Sequence, residues 1–269
     1  MKVLVTGSEG YIGRSLVALL TREGHEVFGV DRLNGYDIRY PEQFEFQAEA
    51  VIHLAAMSSV GDCQSDPAAC IDVNVLGTAK MIEYAKACGA KRFVFASSGA
   101  VYGECKEPAT VSTPRNPLSW YGMSKVLAEK LLEREDGLNV VTLRLSNVIG
   151  GDSRQGRILP TLMRCLSTGE PFVRRGVGCV RGYVSLDNVA WVFDWALYAA
   201  PGTHNVVDTH ASVEEVAGAF MTAVDSPVNV IAAERNPWEP QETRFDRSVI
   251  STPISDLIEE WVRAERCKA

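Results

Sequence analysis

Tyr121 and Lys125 stand four residues apart in a segment whose apolar spacing predicts a helix over Tyr121 to Glu135. That separation places both side chains on one face of a helix, within reach of a common ligand. A tyrosine hydroxyl has a pKa of about 10 and is a poor base near neutrality, but a nearby ammonium group favours the phenolate. The pair can therefore exchange a proton with a substrate hydroxyl. The alternative is an ordinary half-buried tyrosine, because YxxxK also occurs by chance.

A turn of small residues, SSGAVYG at 97–103, follows the apolar run Arg92 to Ala96. The hydroxyl of Ser98 in this turn can hold a reacting oxygen beside a tyrosine. Taken alone, the segment is equally compatible with a turn that has no chemical role.

A glycine-rich turn, TGSEGYIG at 6–13, follows the first apolar run of the chain. Gly7 permits a tight turn, Gly10 lets a pyrophosphate approach the backbone, and Gly13 lets the next helix pack closely. The N-terminal N–H groups of that helix attract phosphates. Asp31 ends the second apolar run, where a carboxylate binds ribose hydroxyls and repels a 2′-phosphate. The pattern predicts a dinucleotide site that prefers NAD to NADP, although the neighbouring Arg32 weakens that preference.

Strand and helix patterns alternate around these motifs. The expected buried strands are Lys2 to Thr6, Glu26 to Val30, Ala50 to Leu54, Arg92 to Ala96 and Val140 to Leu145. Helical spacing is found over Arg14 to Glu23, Val73 to Cys88 and Tyr121 to Glu135. Such alternation predicts an α/β fold with a Rossmann-type doubly wound parallel sheet, which binds ligands beyond the carboxyl ends of its strands.

The bulk properties exclude several classes of protein. A formal net charge of −7 argues against a nucleic-acid-binding protein, since a phosphate backbone is bound by a basic surface. No apolar stretch approaches the roughly 20 residues that span a bilayer, and the N-terminus lacks a signal-peptide pattern. The seven cysteines include no metal-site spacing. We therefore expect no metal ion, no membrane contact, free thiols and a cytoplasmic location.

Together these segments resemble the extended short-chain dehydrogenase/reductase family, in particular its NAD-dependent nucleotide-sugar epimerase/dehydratase group and the UDP-hexose 4-epimerases. The shared motifs run in the family's order over nearly the whole chain. They are TGxxGxxG, the acid at 31, HLAA at 53–56, NVLGT at 74–78, SSxxVYG, YxxxK, LRLSNV at 143–148 and RGYVSLDNVA at 181–190. The resemblance implies an NAD-binding domain at 1–150 plus about 183–210, and a smaller C-terminal substrate-binding lobe at about 151–182 and 211–269.

The resemblance also implies roles for single residues. The implied catalytic residues are Ser98, Tyr121 and Lys125. The implied NAD-binding residues are Gly7, Gly10, Tyr11, Ile12, Gly13, Asp31, Arg32, Asp37, Ile38, Leu54, Ala55, Ala56 and Asn74, with Tyr121 and Lys125. The residues implied to bind a UDP-sugar are Ser58, Ser98, Asn147, Arg181 and Arg244. A bidentate guanidinium suits a diphosphate on chemical grounds as well.

The residues directly after Ser98 narrow the choice of reaction. A 4-epimerase oxidises carbon 4 of the sugar and returns the hydride to the opposite face. The family's dehydratases supply acid/base carboxylates as Asp-Glu directly after the active serine, but Gly99 and Ala100 stand here. Its decarboxylases carry a glutamate in the same stretch, and none precedes Glu104. Elimination points to 4-epimerisation, or to a simple 4-ketoreductase or oxidase of the sugar, and 4-epimerisation is the interpretation that we favour; a dehydratase and a non-catalytic NAD sensor are the remaining alternatives, the sensor being disfavoured because Ser98, Tyr121 and Lys125 are intact.

The sequence departs from the family pattern at two places. The connection from Asp31 to Ala50 is short, so one strand or helix is expected to be cut back, and Gly182 replaces a usual aspartate.

The resemblance further implies a homodimer built on the helix after Asn74 and the helix of Tyr121. Its expected apolar positions, some of which face the chain's own sheet, are Met81, Ile82, Tyr84, Ala85, Leu127, Leu131 and Leu132.

Overall fold

The computed structural model describes residues 1–150, 158–176, 178–246 and 252–266. The strands of its largest sheet are β1 (Lys2–Thr6), β2 (Glu26–Val30), β3 (Ala50–His53), β4 (Arg92–Ser98), β6 (Asn139–Leu145) and β10 (Gly202–Val206). All six are parallel, in the order β10-β6-β4-β3-β1-β2. From β1 the chain runs first to β2 at one edge of the sheet, and then returns to build β3, β4, β6 and β10 on the other side of β1. This order confirms the doubly wound fold.

Helices cover both faces of this sheet. Helices α1 (Tyr11–Arg22) and α7 (Leu186–Ala196) lie on one face, and α4 (Gly77–Ala87) and α5 (Trp120–Leu132) lie on the other. The other helices are α2 (Val60–Ser65), α3 (Pro67–Ile71), α6 (Ile158–Thr168), α8 (Val213–Val224) and α9 (Ile254–Arg266). Side chains alternate across a strand, so Val3 and Val5 join the core under α1 and α7. Leu4 joins the core under α4 and α5. Both cores are made of fully buried aliphatic and aromatic side chains.

The connection between β2 and β3 is cut back, as expected from its length. It holds only two short 3-10 turns, Arg32–Asn34 and Pro41–Gln43, so β2 is an edge strand. Stacked rings of Phe28 and Phe46, with centroids 5.1 Å apart, pack beside that edge. A second irregularity is the π-helical turn Asp72–Leu76 that leads into α4, and such turns are frequent at functional sites.

The remaining strands build smaller sheets. They are β5 (Cys105–Ala109), β7 (Asn147–Ile149), β8 (Phe172–Arg175), β9 (Val180–Ser185), β11 (Thr209–Ser212), β12 (Val230–Ala233) and β13 (Thr243–Phe245). Strand β9 lies between β11 and β7, while β12 pairs with β8 and β13 with β5. A separate core joins α6, α8 and α9 through Leu162, Phe220 and Ile258.

The expectation of free thiols is wrong for one pair of cysteines. Cys63 on α2 and Cys70 on α3 form a disulfide, because the two short consecutive helices bring their Cα atoms to 5.0 Å. The free cysteines among the described residues are Cys88, Cys105, Cys165 and Cys179; Cys267 lies outside the described residues. In the described ranges, no cluster of three or more acidic, His or Cys side chains suits a metal ion. None of the described helices is long and apolar enough to cross a bilayer.

Candidate active site

The glycine turn after β1 is closed by direct backbone contact. Gly7 has a φ of +71°, and a Cβ atom on it would lie 2.9 Å from the backbone nitrogen of Ala55. A Cβ atom on Gly13 would lie 2.0 Å from the Gly7 carbonyl oxygen. Helix α1 begins after Gly10, which provides no side-chain cap. No capping side chain therefore covers the N-terminal N–H groups of α1, which is the arrangement of helix ends that bind phosphates.

The carboxylate of Asp31 lies beside this turn. It accepts hydrogen bonds from the backbone nitrogens of Glu9 at 3.2 Å and Leu33 at 3.0 Å. Together with Gly10 and Arg32, these residues line a cleft of about 450 Å³. A phosphate-binding turn and a carboxylate on one cleft are the groups that a dinucleotide needs, so the residues present fit NAD.

The other residues expected at the cofactor site lie on neighbouring segments. Tyr11 donates a hydrogen bond to the Gly150 carbonyl oxygen at 2.5 Å, and Ile12 packs against the core under α1. Ile38 is buried against Gly77 at the start of α4. Residues 54–56, Leu54 to Ala56, are partly exposed after β3, at the carboxyl edge of the sheet.

Asp37 is held by an arginine that sequence reasoning did not single out. Arg39 donates to the Asp37 carboxylate at 2.6 Å and to Asp72 at 2.6 Å. The hydrogen bonds from Arg39 lower the pKa of Asp37, in opposition to its burial. The ion pair therefore fixes the segment after β2 onto the π-helical turn that carries Asn74.

Asn74 connects the segment after β3 to the helix of Tyr121. Its side chain accepts from the Met57 backbone nitrogen at 2.7 Å and donates to the Ser124 hydroxyl at 2.9 Å. Asn74 therefore holds Ser124, the residue directly before Lys125 on α5. Ser58, directly after Met57, is exposed in the loop before α2.

The three expected catalytic residues come from β4 and α5. Ser119 caps α5 by accepting from the Gly122 backbone nitrogen at 3.1 Å. A Cβ atom on Gly122 would lie 2.6 Å from the carbonyl oxygen of Ala100. The first turn of α5, which carries Tyr121, therefore packs directly on the loop that follows Ser98.

Lys125 is buried between α5 and β4. Its ammonium group donates to the Ala96 carbonyl oxygen at 2.8 Å and lies 5.9 Å from the Tyr121 ring centroid. Burial lowers the pKa of Lys125 to about 8, although the Glu129 carboxylate opposes that shift. Burial, together with the charge of Lys125, lowers the pKa of His53 to about 3. His53 is therefore neutral near pH 7, while Lys125 places a positive charge beside the Tyr121 ring.

The residues expected to bind the substrate diphosphate lie on β7, β9 and β13. Asn147 donates to the Gly182 carbonyl oxygen at 2.9 Å. Arg181 uses its Nη1 for the backbone oxygens of Val180 and Gln241. Arg244 pairs with the Glu242 carboxylate at 3.4 Å. Strand β13 lies against both β5 and β9, so all three side chains stand on adjoining strands.

One aromatic ring occupies the space beside the loop of Ser98. A Cβ atom on Gly99 would lie 2.3 Å from Phe245, and one on Gly182 would lie 2.8 Å from the same ring. Phe245 is 3% exposed and also contacts the ring of Tyr102. Phe245 thus packs against both Gly99, which follows Ser98, and Gly182 on β9.

Sequence reasoning missed a buried ion pair next to Lys125 and Ser97. Glu129 on α5 accepts from Arg144 on β6 through both oxygens, at 2.9 and 2.7 Å. Burial would raise the pKa of Glu129, but the hydrogen bonds from Arg144 and Ser97 lower it overall. The available signal was the spacing of Glu129, which is one turn beyond Lys125 on the same helix.

This fold and site define an enzyme class: a dinucleotide-dependent short-chain dehydrogenase/reductase with a serine, a tyrosine and a lysine at the carboxyl edge of the sheet. Within that class, the chain belongs to the NAD dependent epimerase/dehydratase family, whose family model matches residues 3–207.

Individual relatives agree with this membership. The UDP-glucose 4-epimerase of Lactobacillus helveticus is 34% identical over 176 residues, which are 57% of this chain and 53% of that protein. That alignment spans about half of the relative's length. The UDP-glucose 4-epimerase of Rhizobium meliloti (strain 1021) is 30% identical over 279 residues, 87% of this chain and 85% of that protein. The structure of the Thermus thermophilus UDP-glucose 4-epimerase in complex with NAD superposes with a TM-score of 0.90, at 28% identity over 100% of both chains.

Proposed function

We propose that this protein is an NAD-dependent 4-epimerase of a UDP-linked sugar. The observation that carries the proposal is the placement of Tyr121 and Lys125 against the loop of Ser98, beside a cleft that fits a dinucleotide. The names of the relatives support the same reaction.

The side chains of this site suit proton transfer at a sugar hydroxyl. Tyr121 takes the proton from the hydroxyl on carbon 4, and the Lys125 ammonium stabilises the phenolate that makes this possible. The Ser98 hydroxyl holds the reacting oxygen in place. NAD, when bound, supplies the means to remove and return the hydride. Once the ketone has rotated so that its opposite face receives the hydride, Tyr121 returns the proton to the oxygen on carbon 4.

Two arginines and an asparagine suit the diphosphate of the substrate. Arg181 carries five N–H donors, and the two backbone carbonyls that it contacts use only Nη1. Asn147 and Arg244 lie on the adjoining strands β7 and β13. Their assignment to the diphosphate, with that of Ser58 to the sugar, remains part of the proposal.

The surroundings of Ser98 oppose a dehydratase, and other observations separate an epimerase from the remaining reactions considered. A dehydratase would need a carboxylate at position 99, and Phe245 fills the space that such a side chain requires. A ketoreductase or an oxidase uses the same catalytic residues, and the absence of net NADH production separates an epimerase from both. A non-catalytic NAD sensor has no need of a buried lysine beside the tyrosine.

Replacement of the tyrosine tests the role of the site. Tyr121→Phe is expected to lower turnover of UDP-glucose at least 1000-fold while NAD binding stays within about threefold, because only the proton acceptor is removed. Calorimetric titration with NAD and a coupled assay for UDP-galactose measure the two quantities. A variant with unchanged turnover would exclude Tyr121 as the base.

We propose that the chain also divides as the sequence suggested and forms a homodimer. The separate core of α6, α8 and α9 supports a substrate lobe distinct from the NAD-binding domain. Leu76, Trp120, Met123 and Leu127 around α4 and α5 are exposed apolar side chains, which support an interface there. Met81, Ile82, Tyr84, Ala85 and Leu132, also expected at that interface, are instead buried in the chain's own core.

A cytoplasmic location is retained as a proposal. Cys88, Cys105, Cys165 and Cys179 are free thiols, which supports it. The Cys63–Cys70 disulfide is of a kind that is rare in that compartment. Counting reactive thiols in protein purified under conditions that trap the cellular redox state would show whether Cys63 and Cys70 are oxidised or reduced in the cell.

A further inference from the structure

We propose that Glu129 is a positioning residue for catalysis: paired with Arg144, it fixes the loop that carries Ser98 against the helix that carries Tyr121. The inference rests on the proposed function for its catalytic meaning. Glu129 is 2% exposed, and both oxygens of its buried carboxylate accept hydrogen bonds from other side chains. Burying a charge in this way is costly unless it is paired and hydrogen-bonded.

The contacts of α5 with the end of β4 form a regular ladder. Lys125 donates to the carbonyl oxygen of Ala96 at 2.8 Å. One turn further on, Glu129 accepts from the hydroxyl of Ser97 at 2.5 Å. Tyr121 lies one turn before Lys125 on the same face of the helix. Successive turns of α5 therefore hold successive residues of β4 up to the position before Ser98.

The loop after Ser98 is attached to the same ion pair from its other side. Arg144 is opposite Ser97 in the register of β4 and β6. Its Nη1 donates to the Tyr102 hydroxyl at 2.7 Å, and Tyr102 donates in turn to Asn205 at 2.7 Å. Residues 97 and 102 flank the turn that contains Ser98. Both ends of that turn are thus connected to the one Glu129–Arg144 pair.

Glu129 has an electrostatic effect as well as a geometric one. The titratable groups that face Lys125 are Tyr121 and Glu129 on α5 and His53 on β3. His53 is neutral near pH 7 because burial and the Lys125 charge lower its pKa. The Glu129 carboxylate is consequently the negative charge that favours the ammonium form of Lys125. Removal of this charge should let Lys125 lose its proton at lower pH.

Two variants and a matched control separate positioning from simple stability. Glu129→Gln is expected to lower kcat for UDP-glucose at least 30-fold, with KM within threefold, and to move the alkaline limb of the kcat profile at least half a pH unit lower. Ser97→Ala keeps the charge and removes one hydrogen bond, so kcat should fall about tenfold with the alkaline limb unmoved. Glu26→Gln makes the same chemical change at an exposed ion pair with Lys2, at the amino end of β2 and therefore opposite the carboxyl edge of the sheet. It should keep kcat within twofold.

The measurements are made on the full chain with NAD bound, with folding checked by circular dichroism. Folded Glu129→Gln and Ser97→Ala proteins with wild-type kcat and pH profile would overturn the proposal and leave Glu129 a stabilising residue only. If Glu129→Gln does not fold, Ser97→Ala alone decides, and a wild-type kcat overturns the proposal.

Failure of the proposed function would be recognised separately, as an unmodified protein that turns over no UDP-sugar. In that case the pKa of Lys125 is measured by NMR of lysine-labelled protein. A lower pKa of Lys125 in Glu129→Gln than in Glu26→Gln supports the role of Glu129, and equal values overturn it.

Discussion

Lys125 holds an ammonium group where water does not reach it, with 3% of the residue exposed. Its pKa is 10.5 in the unfolded chain and about 8 in the folded protein, because burial disfavours the charged form. Between those values the unfolded chain binds more protons, so this group's contribution to the free energy of unfolding rises with pH. Below about pH 8 both states are protonated, and the folded state bears the whole cost of the buried charge.

Replacing this lysine by an apolar side chain should therefore lower the activity without lowering the stability. Lys125→Met is expected to lose at least 1000-fold in kcat. Relief of the buried charge is worth about 3 kcal/mol, and it offsets the lost hydrogen bond to Ala96. The melting temperature at pH 7 should equal or exceed that of the unmodified protein, as measured by scanning calorimetry. A fall of more than about 5 °C would contradict the cost assigned to the charge.

Gly99 is the second residue with a direct prediction. A side chain there would meet the buried ring of Phe245, so Gly99→Asp should destabilise the protein by about 2–3 kcal/mol through overpacking and a buried carboxylate. Phe245→Ala makes room for that side chain, and the double variant should be more stable than the sum of the two single changes predicts. Urea unfolding of the four proteins measures this coupling. Additive effects would show that Phe245 is not the obstacle.

The residues proposed for catalysis could be singled out from the sequence because their patterns are local. Tyr121 and Lys125 are one helical turn apart, and Ser98 follows a strand directly. Glu129 is far in the chain from Ser97 and Arg144; its spacing from Lys125 puts it on the same helix face, but that spacing does not identify its partners on β4 and β6. The same holds for Phe245, whose contact with Gly99 exists only once β13 lies against β5.

At the scale of elements, the junction between β1 and α1 carries the cofactor proposal. Gly13→Ala would place a methyl group against the Gly7 carbonyl oxygen and should weaken NAD binding at least 100-fold by displacing α1 from the turn. Gly218→Ala is the matched control, because Gly218 lies inside α8 with open space around it. That change should leave NAD binding unaltered and stabilise the protein by about 0.5–1 kcal/mol. Equal NAD affinity in both variants, by calorimetric titration, would contradict the assigned site.

The five strands expected from apolar runs all appear in the large sheet, with bounds that differ by at most two residues. Buried parallel strands are apolar throughout, so each one can be recognised from its own residues. The short pairs β5–β13 and β8–β12 were not predicted. Their strands are three to five residues long, and their pairing joins segments distant in sequence. The π-helical turn Asp72–Leu76 overlaps the start of the segment Val73 to Cys88, which was predicted simply as helix, because side-chain spacing does not reveal one extra residue in a turn.

At the scale of the whole molecule, the outer surface of α5 predicts association. Trp120, Met123 and Leu127 recur at helical spacing on one exposed face. Leu127→Glu places a charge in that face and should convert the homodimer to a monomer, as measured by light scattering coupled to size-exclusion chromatography. Ile231→Glu alters an equally exposed apolar residue on β12 and should leave the dimer intact. A protein that is monomeric without either change would contradict the proposed interface.

The central claim concerns the path of one hydrogen atom. In heavy water with a catalytic amount of NAD, the purified protein is given UDP-glucose, and in a second experiment UDP-galactose, and the sugar protons are followed by NMR. The account predicts the same mixture of the two UDP-sugars from either side. It also predicts full retention of the hydrogen on carbon 4 and no accumulation of NADH, since that hydrogen leaves and returns as hydride. Stoichiometric NADH without epimer, or deuterium on carbon 4, would contradict it.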